Sequence, residues 1–120
     1  MVTIDGKPVT GWIARRLLWA RRHGWSGRVL SGYRTPSEQL RAAQRYAERL
    51  QKPIWQVYPN GPLASNHVRK GYGQGAVDVS EPAELEAVLA RGPKWVRDPG
   101  LIGNGRRIPG DYAHFSANGH

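Results

Sequence analysis

The chain contains no cysteine. That absence excludes disulfide bonds, cysteine-ligated zinc or iron–sulfur centres, and a thiol nucleophile. Any metal site must therefore be built from His, Asp or Glu side chains. Acidic residues are also scarce, since nine Asp and Glu stand against eighteen Lys and Arg and give a formal net charge of +9. A charge of this sign indicates an anionic partner: nucleic acid, an acidic membrane surface, or a polymer bearing phosphates or carboxylates, such as a bacterial cell wall.

Long apolar runs are absent as well. No stretch approaches the roughly 20 apolar residues that a bilayer-spanning helix requires, so we expect no transmembrane segment. The opening residues lack both the basic and the apolar regions of a signal peptide. We therefore expect synthesis in the cytoplasm, with any action outside the cell depending on delivery by other proteins or on membership of a larger exported protein.

The chain has the length of one domain. Single cores are typically built from about 100–150 residues, so we expect residues 1–120 to form a single unit. Hydrophobic residues make up 39% of the chain, with five Trp and five Tyr. That content suffices for a modest core and excludes a compositionally disordered chain.

Periodicity and capping signals predict the elements of the first half. Trp12, Ile13, Arg16, Leu17 and Ala20 form one helical stripe between Thr10 and His23. A strand is predicted over 27–33, where β-branched and aromatic residues lie between glycines. Thr35-Pro36-Ser37-Glu38 is a strong start signal for a helix to about Gln51. The stretch from 52 to 75 reads as a long loop with one short strand over 54–58.

The second half predicts a strand, a helix and further short strands. Gly75–Val79 has a strand pattern, and Ser80 is placed to cap a helix from Glu81 to Ala90. From Lys94 onward, the residues indicate short strands and loops. The fold class predicted from this order is α+β, with a small, mainly antiparallel sheet packed with about three helices.

Asp78 is the residue whose position most demands an explanation. A carboxylate in an otherwise apolar strand needs a cation, a hydrogen-bond network or a metal, because burying an unpaired charge is costly. Together with His67 and His114 it would form a donor set suited to Zn²⁺. The separations of 11 and 36 residues match no local ligand pattern. By residue type and spacing alone, two surface histidines and a strand aspartate paired with an arginine are the favoured explanation.

Five short stretches of sequence favour the metal-site interpretation. They are Ser31-Gly32-Tyr33-Arg34-Thr35, Gln39, Ser65-Asn66-His67, Gly75-Ala76-Val77-Asp78-Val79 and Asp111-Tyr112-Ala113-His114-Phe115. Together and in this order, they resemble the zinc D-Ala-D-Ala carboxypeptidase and L-Ala-D-Glu endopeptidase family. This family includes bacterial cell-wall carboxypeptidases and phage endolysins, and it shares its fold with the Hedgehog signalling domain. The resemblance implies that fold and a zinc peptidase acting on peptidoglycan stem peptides.

The resemblance also implies roles for individual residues. His67, Asp78 and His114 would be the ligands of one Zn²⁺. Asp111 would be the general base, which takes a proton from the zinc-bound water and returns it to the leaving amine. Arg34 would hold substrate or polarise the scissile carbonyl, as an arginine fork that stays charged can do.

Weaker assignments concern residues around the proposed site. Gln39 and Ser65 match family positions near the substrate. The long loop also carries Tyr72, Trp55 and Tyr58, which are candidates for lining a substrate groove.

One departure from the family pattern lies between the first two ligands. The family separates them by seven residues, whereas His67 and Asp78 are eleven apart. A glycine-rich insertion of four residues can bulge outward and leave both ligands in place. It can also alter the geometry of the site or the substrate, and the sequence leaves both possibilities open.

Three functions therefore compete. The leading one is a zinc peptidase of peptidoglycan stems, with the basic surface attracting anionic wall polymers. The second is a non-catalytic, metal-containing module on the same fold that binds cell wall or protein. The third is a small nucleic-acid binder, which the charge alone suggests. It leaves Asp78 unexplained and lacks a helix-turn-helix or aromatic RNA-binding signature, so we expect no nucleic-acid partner.

Overall fold

A computed structural model of the chain describes residues 1–103 and 113–117. Within them the protein is an α+β fold with two antiparallel sheets. The strands are β1 Val2–Ile4, β2 Lys7–Val9, β3 Val29–Ser31, β4 Ala76–Val79, β5 Ile102–Gly103 and β6 His114–Ser116. The helices are α1 Gly11–Arg22, α2 Pro36–Leu50, α3 Ile54–Val57, α4 Pro82–Ala90 and α5 Lys94–Arg97. Three of these helices are long and two are single turns. The prediction of an α+β fold, with a small antiparallel sheet packed with about three helices, is therefore confirmed.

The larger sheet carries the elements that matter for function. Its strand order is β3-β4-β6-β5, and every neighbouring pair is antiparallel. In this register, Asp78 on β4 lies opposite His114 on β6. On the other side of β4, Ser31 is paired with Asp78 after an irregularity in β3. The sheet thus brings together residues from three distant parts of the chain.

The N-terminal hairpin of β1 and β2 was not predicted. Asp5 and Gly6 connect the two strands with φ angles of 52° and 79°. Positive φ at both central residues is what a two-residue type I′ turn needs, and Asp-Gly is a preferred pair for it. The Asp5-Gly6 dipeptide was therefore the signal in the sequence from which this hairpin could have been predicted.

The helices α1 and α2 follow their sequence patterns. All five residues of the predicted stripe on α1 are buried, including Arg16. At the start of α2, the Thr35 hydroxyl accepts a hydrogen bond from the Glu38 amide, while the Glu38 carboxylate accepts one from the Thr35 amide. This reciprocal capping box satisfies two donors that the first helical turn leaves unpaired. Both helices are therefore confirmed.

Three local predictions were wrong. Residues 94–97, predicted as strand or loop, form the single-turn helix α5 directly after Pro93. The residues 54–58 contain the single-turn helix α3 in place of a strand, with the Pro53 carbonyl accepting from the Val57 amide. Short apolar runs do not distinguish the two structures, and a proline before the run favours a helical start. Ser80 does not cap α4, because its hydroxyl instead accepts from the Arg28 amide. Glu81, with φ of 51°, occupies the cap position.

The hydrophobic core lies between α1, the larger sheet and α4. Its largest fully buried side chains include Trp25, Ile13 and Leu17 from the first part of the chain, and Leu85 and Phe115 from α4 and β6. Val77 and Val79 lie on the face of β4 that packs against this core. Among residues 1–103 and 113–117, none of the helices has the length and apolar character needed to span a bilayer.

Candidate metal centre

Asp78 and His114 meet through strand pairing. Residues directly opposite one another in an antiparallel pair have neighbouring side chains on the same face. His114 Nδ1 lies 3.1 Å from Asp78 Oδ1. Both side chains leave the sheet on the face away from the core strand residues Val77 and Val79. Two of the three proposed ligands are thus positioned by the sheet itself.

His67 reaches the same place from the long loop. It lies in a 3-10 turn, Asn66–Val68, and its own amide donates a hydrogen bond to the hydroxyl of Ser65. Its carbonyl oxygen accepts from the Arg34 amide at 2.8 Å, and its Nδ1 lies 2.8 Å from the Gly32 carbonyl oxygen. These two contacts attach the loop to the end of β3. His67 is 4% exposed, so its imidazole is fixed by its surroundings.

The three side chains form one compact group. His67 Nε2 lies 3.2 Å from Asp78 Oδ2, and the two imidazole rings meet edge to face with centroids 5.0 Å apart. One nitrogen or oxygen atom from each of His67, Asp78 and His114 lies within 4.8 Å of the others. This arrangement could hold a metal ion.

The hydrogen bonding of His67 favours a cation in that position. The Gly32 carbonyl can only accept, so Nδ1 carries the hydrogen and Nε2 faces the Asp78 carboxylate. A carboxylate also only accepts. Either a proton or a metal ion must therefore lie between Nε2 and Oδ2. A histidine ligand oriented by a backbone carbonyl on its other nitrogen is the usual arrangement in protein metal sites.

Asp78 is kept ionised by its neighbours. Burial by itself raises the pKa of its carboxyl, but hydrogen bonds from His114, His67 and Ser31, together with the charge of His67, outweigh that effect. The resulting pKa lies far below the usual range for aspartate. Ser31 Oγ donates to Oδ2 at 2.5 Å. The carboxylate is consequently available as an anionic ligand at any ordinary pH.

Arg34 lies at the rim of this group and is held in place by Gln39. Its Nη2 is 3.5 Å from Asp78 Oδ2, and its Nη1 donates to Gln39 Oε1 at 2.9 Å. Gln39 is only 3% exposed, and its amide nitrogen donates to the Pro62 carbonyl at 3.2 Å. Because both ends of the amide are engaged, Gln39 fixes the direction of the guanidinium.

These residues lie along a cleft of about 920 Å³. It extends from the sheet, along α2, to α3 and the loop that follows. The described residues lining it are Arg34, Gln39, Ala42, Tyr46, Leu50, Lys52, Gln56, Val57, Tyr58, Ser65, His67, Asp78 and His114. A volume of this size is typical of a site for a small molecule or a short peptide segment.

Most of the predicted site residues meet here. The cleft is lined by the three proposed ligands and by Arg34, Gln39, Ser65 and Tyr58. Tyr72 and Trp55 are not brought to it: they are 77% and 72% exposed, and the Tyr72 ring lies 6.5 Å from that of Trp12 on the α1 side. Asp111 lies outside the described residues.

The insertion between the first two ligands bulges away from them. Gly73 and Gly75 adopt positive φ, which lets the chain turn without a side-chain clash. The Gln74 carbonyl accepts from the indole nitrogen of Trp12 at 2.5 Å, which attaches the bulge to α1. His67 and Asp78 remain adjacent despite the longer connection.

Sequence reasoning missed the wall of the cleft that α2 and α3 provide. Ala42, Tyr46 and Leu50 follow a spacing of four, which places them on one stripe of α2. The buried residues of α2 are Gln39, Ala43 and Ala47, so the stripe of Ala42, Tyr46 and Leu50 lies beside the buried one and was the available signal for this wall.

Comparisons of the chain with family models, with curated proteins and with solved structures found no match. What the site can do therefore follows from its own residues.

Proposed function

We propose that this protein is a zinc-dependent peptidase that hydrolyses a peptide bond in the stem peptides of bacterial peptidoglycan, on the fold of the family that its motifs resemble. The observation that carries the proposal is the buried group of His67, Asp78 and His114 at the floor of a cleft, with the Arg34 guanidinium beside it. A purely structural ion pair does not require two histidines on one carboxylate and an open cleft above them.

The donor set supports zinc as the metal. Two imidazole nitrogens and one carboxylate oxygen are ligands that Zn²⁺ prefers, and three protein ligands leave a position for water or substrate, as catalytic zinc sites do. When bound, Zn²⁺ supplies a Lewis acid that lowers the pKa of a coordinated water and polarises a carbonyl oxygen.

The protein's own residues supply binding, orientation and proton transfer. Arg34 presents a guanidinium that Gln39 prevents from rotating, so its charge can meet the oxygen on which negative charge develops. A fixed donor of this kind needs no reorganisation during the reaction. Asp111, three residues before His114, is proposed as the group that accepts and returns the proton.

The charge of the protein supports an anionic substrate. Stem peptides carry free carboxylates, and the net charge of +9 would attract both them and the anionic polymers of the wall.

The proposal is tested by digesting purified peptidoglycan with zinc-loaded protein and with chelator-treated protein. We expect soluble fragments only with zinc, and mass spectrometry of their ends identifies the bond: released D-Ala indicates a carboxypeptidase, and stem or cross-bridge cleavage an endopeptidase. Zinc binding without release from any wall type would contradict catalysis and favour the metal-containing binding module.

The metal ligands are tested by substitution. His67→Ala and His114→Ala should each abolish stoichiometric zinc binding and fragment release. His23→Ala is the matched control, since that histidine stacks on Trp19 at the end of α1. Undiminished zinc in both ligand variants would refute the site.

The role of Asp111 has a separate test. Asp111→Ala should retain zinc but lose activity by about 100-fold or more, as expected for removal of a general base. Unchanged turnover would refute this assignment.

A further inference from the structure

The cleft continues beyond the metal centre into a section with different chemistry. Tyr46 and Leu50 of α2 form one wall, and Val57 and Tyr58 form the other. We name these four residues the aromatic arm of the cleft. They lie outside the metal-binding group and outside every role that the proposed function assigns.

The arm presents apolar surface that the described protein does not cover. Tyr46 is 43% and Leu50 41% exposed, although both are large apolar side chains beside the buried stripe of α2 that Gln39, Ala43 and Ala47 form. The Tyr46 and Tyr58 rings meet nearly edge to face, with centroids 6.5 Å apart and an interplanar angle of 67°. This packing fixes the two rings as a preformed surface for an aliphatic chain.

The charges around the arm are all positive among the described lining residues, apart from Asp78. Lys52 is exposed, lines the cleft and follows Leu50 by two residues, whereas Arg34 lies beside Asp78 at the candidate metal centre. The Arg49 guanidinium is 6.0 Å from the centroid of the Tyr46 ring, which adds a second cation near the arm. The Asp78 carboxylate is already occupied by hydrogen bonds from serine and histidine and cannot neutralise this region.

We propose that the aromatic arm binds a substrate side chain that is aliphatic along its length and ends in a carboxylate, with Lys52 as the residue that recognises the carboxylate. This inference rests on the proposed function and specifies its substrate. The third residue of a stem peptide is commonly lysine or diaminopimelate, and diaminopimelate carries an additional carboxylate at the end of its side chain. The methylene groups of either residue can pack on Tyr46 and Tyr58, but only the second offers an anion to Lys52.

The experiment uses two soluble stem peptides that are identical except for lysine or diaminopimelate at the third position. Binding to the zinc-loaded protein is measured by calorimetry, and kcat/KM is measured in parallel. An exposed ion pair changes affinity by about two- to fivefold, so we expect a preference of that size for the diaminopimelate peptide. Lys52→Gln should abolish the preference, and Lys52→Glu should reverse it.

Two further variants separate recognition of charge from packing. Tyr46→Ala should weaken binding of both peptides equally and leave their ratio unchanged, because the ring contacts the methylene groups that they share. Lys94→Glu, which makes the same charge change on α5 away from the cleft, should leave both affinities and their ratio unchanged.

The outcomes distinguish this inference from the proposed function. Equal affinity of the wild-type protein for the two peptides, or a preference that survives in Lys52→Glu, would overturn the inference even if both peptides are cleaved. The same preference in binding, without hydrolysis of either peptide, would uphold the inference and overturn the peptidase proposal. Absence of binding by either peptide would overturn the inference.

Discussion

Replacing Asp78 with asparagine preserves the volume of the side chain and removes one of its two acceptor oxygens. The carboxylate receives hydrogen bonds from Ser31 Oγ, His67 Nε2 and His114 Nδ1 at 2.5, 3.2 and 3.1 Å. An amide accepts through one oxygen only, and its NH₂ group then faces another donor. Either one buried donor loses its acceptor or a histidine must adopt its other tautomer, and Arg34 loses its ion pair with the carboxylate.

The size of the effect follows from these contacts. Leaving a buried polar group unpaired costs about 1–3 kcal/mol, and breaking a fully buried ion pair costs about 3–5 kcal/mol. The Asp78 side chain is 25% exposed, so solvent compensates part of the loss. We therefore expect the metal-free Asp78→Asn variant to be less stable by about 2–3 kcal/mol. For a domain of this size, that corresponds to a fall in Tm of about 8–12 °C.

The assay is thermal unfolding followed by circular dichroism, in chelator and in excess zinc. Zinc at a hundred times its Kd should stabilise the wild-type protein by about 2.7 kcal/mol, or about 11 °C, and should stabilise the variant much less. Asp98→Asn, which changes an exposed aspartate outside the cleft, is the control and should behave as wild type. Equal Tm values for Asp78→Asn and wild type in chelator, together with equal gains from zinc, would refute the reasoning.

Two further predictions concern the structure that supports the site. The hydrogen bond from Arg21 at 2.6 Å lowers the pKa of Asp5, so its stabilising effect is present above about pH 4 and is lost as the pH falls through the lowered value. Asp5→Asn should thus reduce the free energy of unfolding by about 1 kcal/mol at pH 7 and by progressively less in acid. Urea titrations at several pH values measure this difference. A difference between variant and wild type that grows in acid would contradict the prediction. Gly32→Ala would drive a Cβ into the Pro8 carbonyl oxygen and displace the backbone carbonyl that orients His67. It should lower stability by about 2 kcal/mol and weaken zinc binding, whereas Gly11→Ala, whose Cβ meets open space, should do neither. Unaltered zinc affinity in Gly32→Ala would refute the role of that carbonyl.

Local patterns predicted the elements whose structure depends on nearby residues. The helix α2 begins at a capping box within four consecutive residues, and α1 buries residues that repeat every three or four positions. Such signals act over one or two turns and are therefore legible in one sequence. The short run of α3 contains too few residues for its period to distinguish a helix from a strand, and the prediction there was wrong.

The residues of the candidate site could be identified from the sequence for a different reason. Asp78 in an apolar strand signals a buried charge that needs partners, and the short motifs around it identified which residues to consider. The sequence did not indicate that Tyr72 would lie against Trp12 rather than in the cleft, because that depends on how the insertion folds onto α1.

The sequence by itself determined that any metal site must use histidine and carboxylate ligands, that α1 and α2 are helices, and that the protein is strongly basic. Only the tertiary structure decided that His67, Asp78 and His114 share one site. Their proximity depends on the antiparallel register of β4 and β6 and on a loop held by the Gly32 carbonyl. The tertiary structure also decided that Tyr46 and Lys52 line the same cleft as the candidate metal centre. Contacts between residues tens of positions apart arise from strand pairing and loop closure, which local periodicity does not encode.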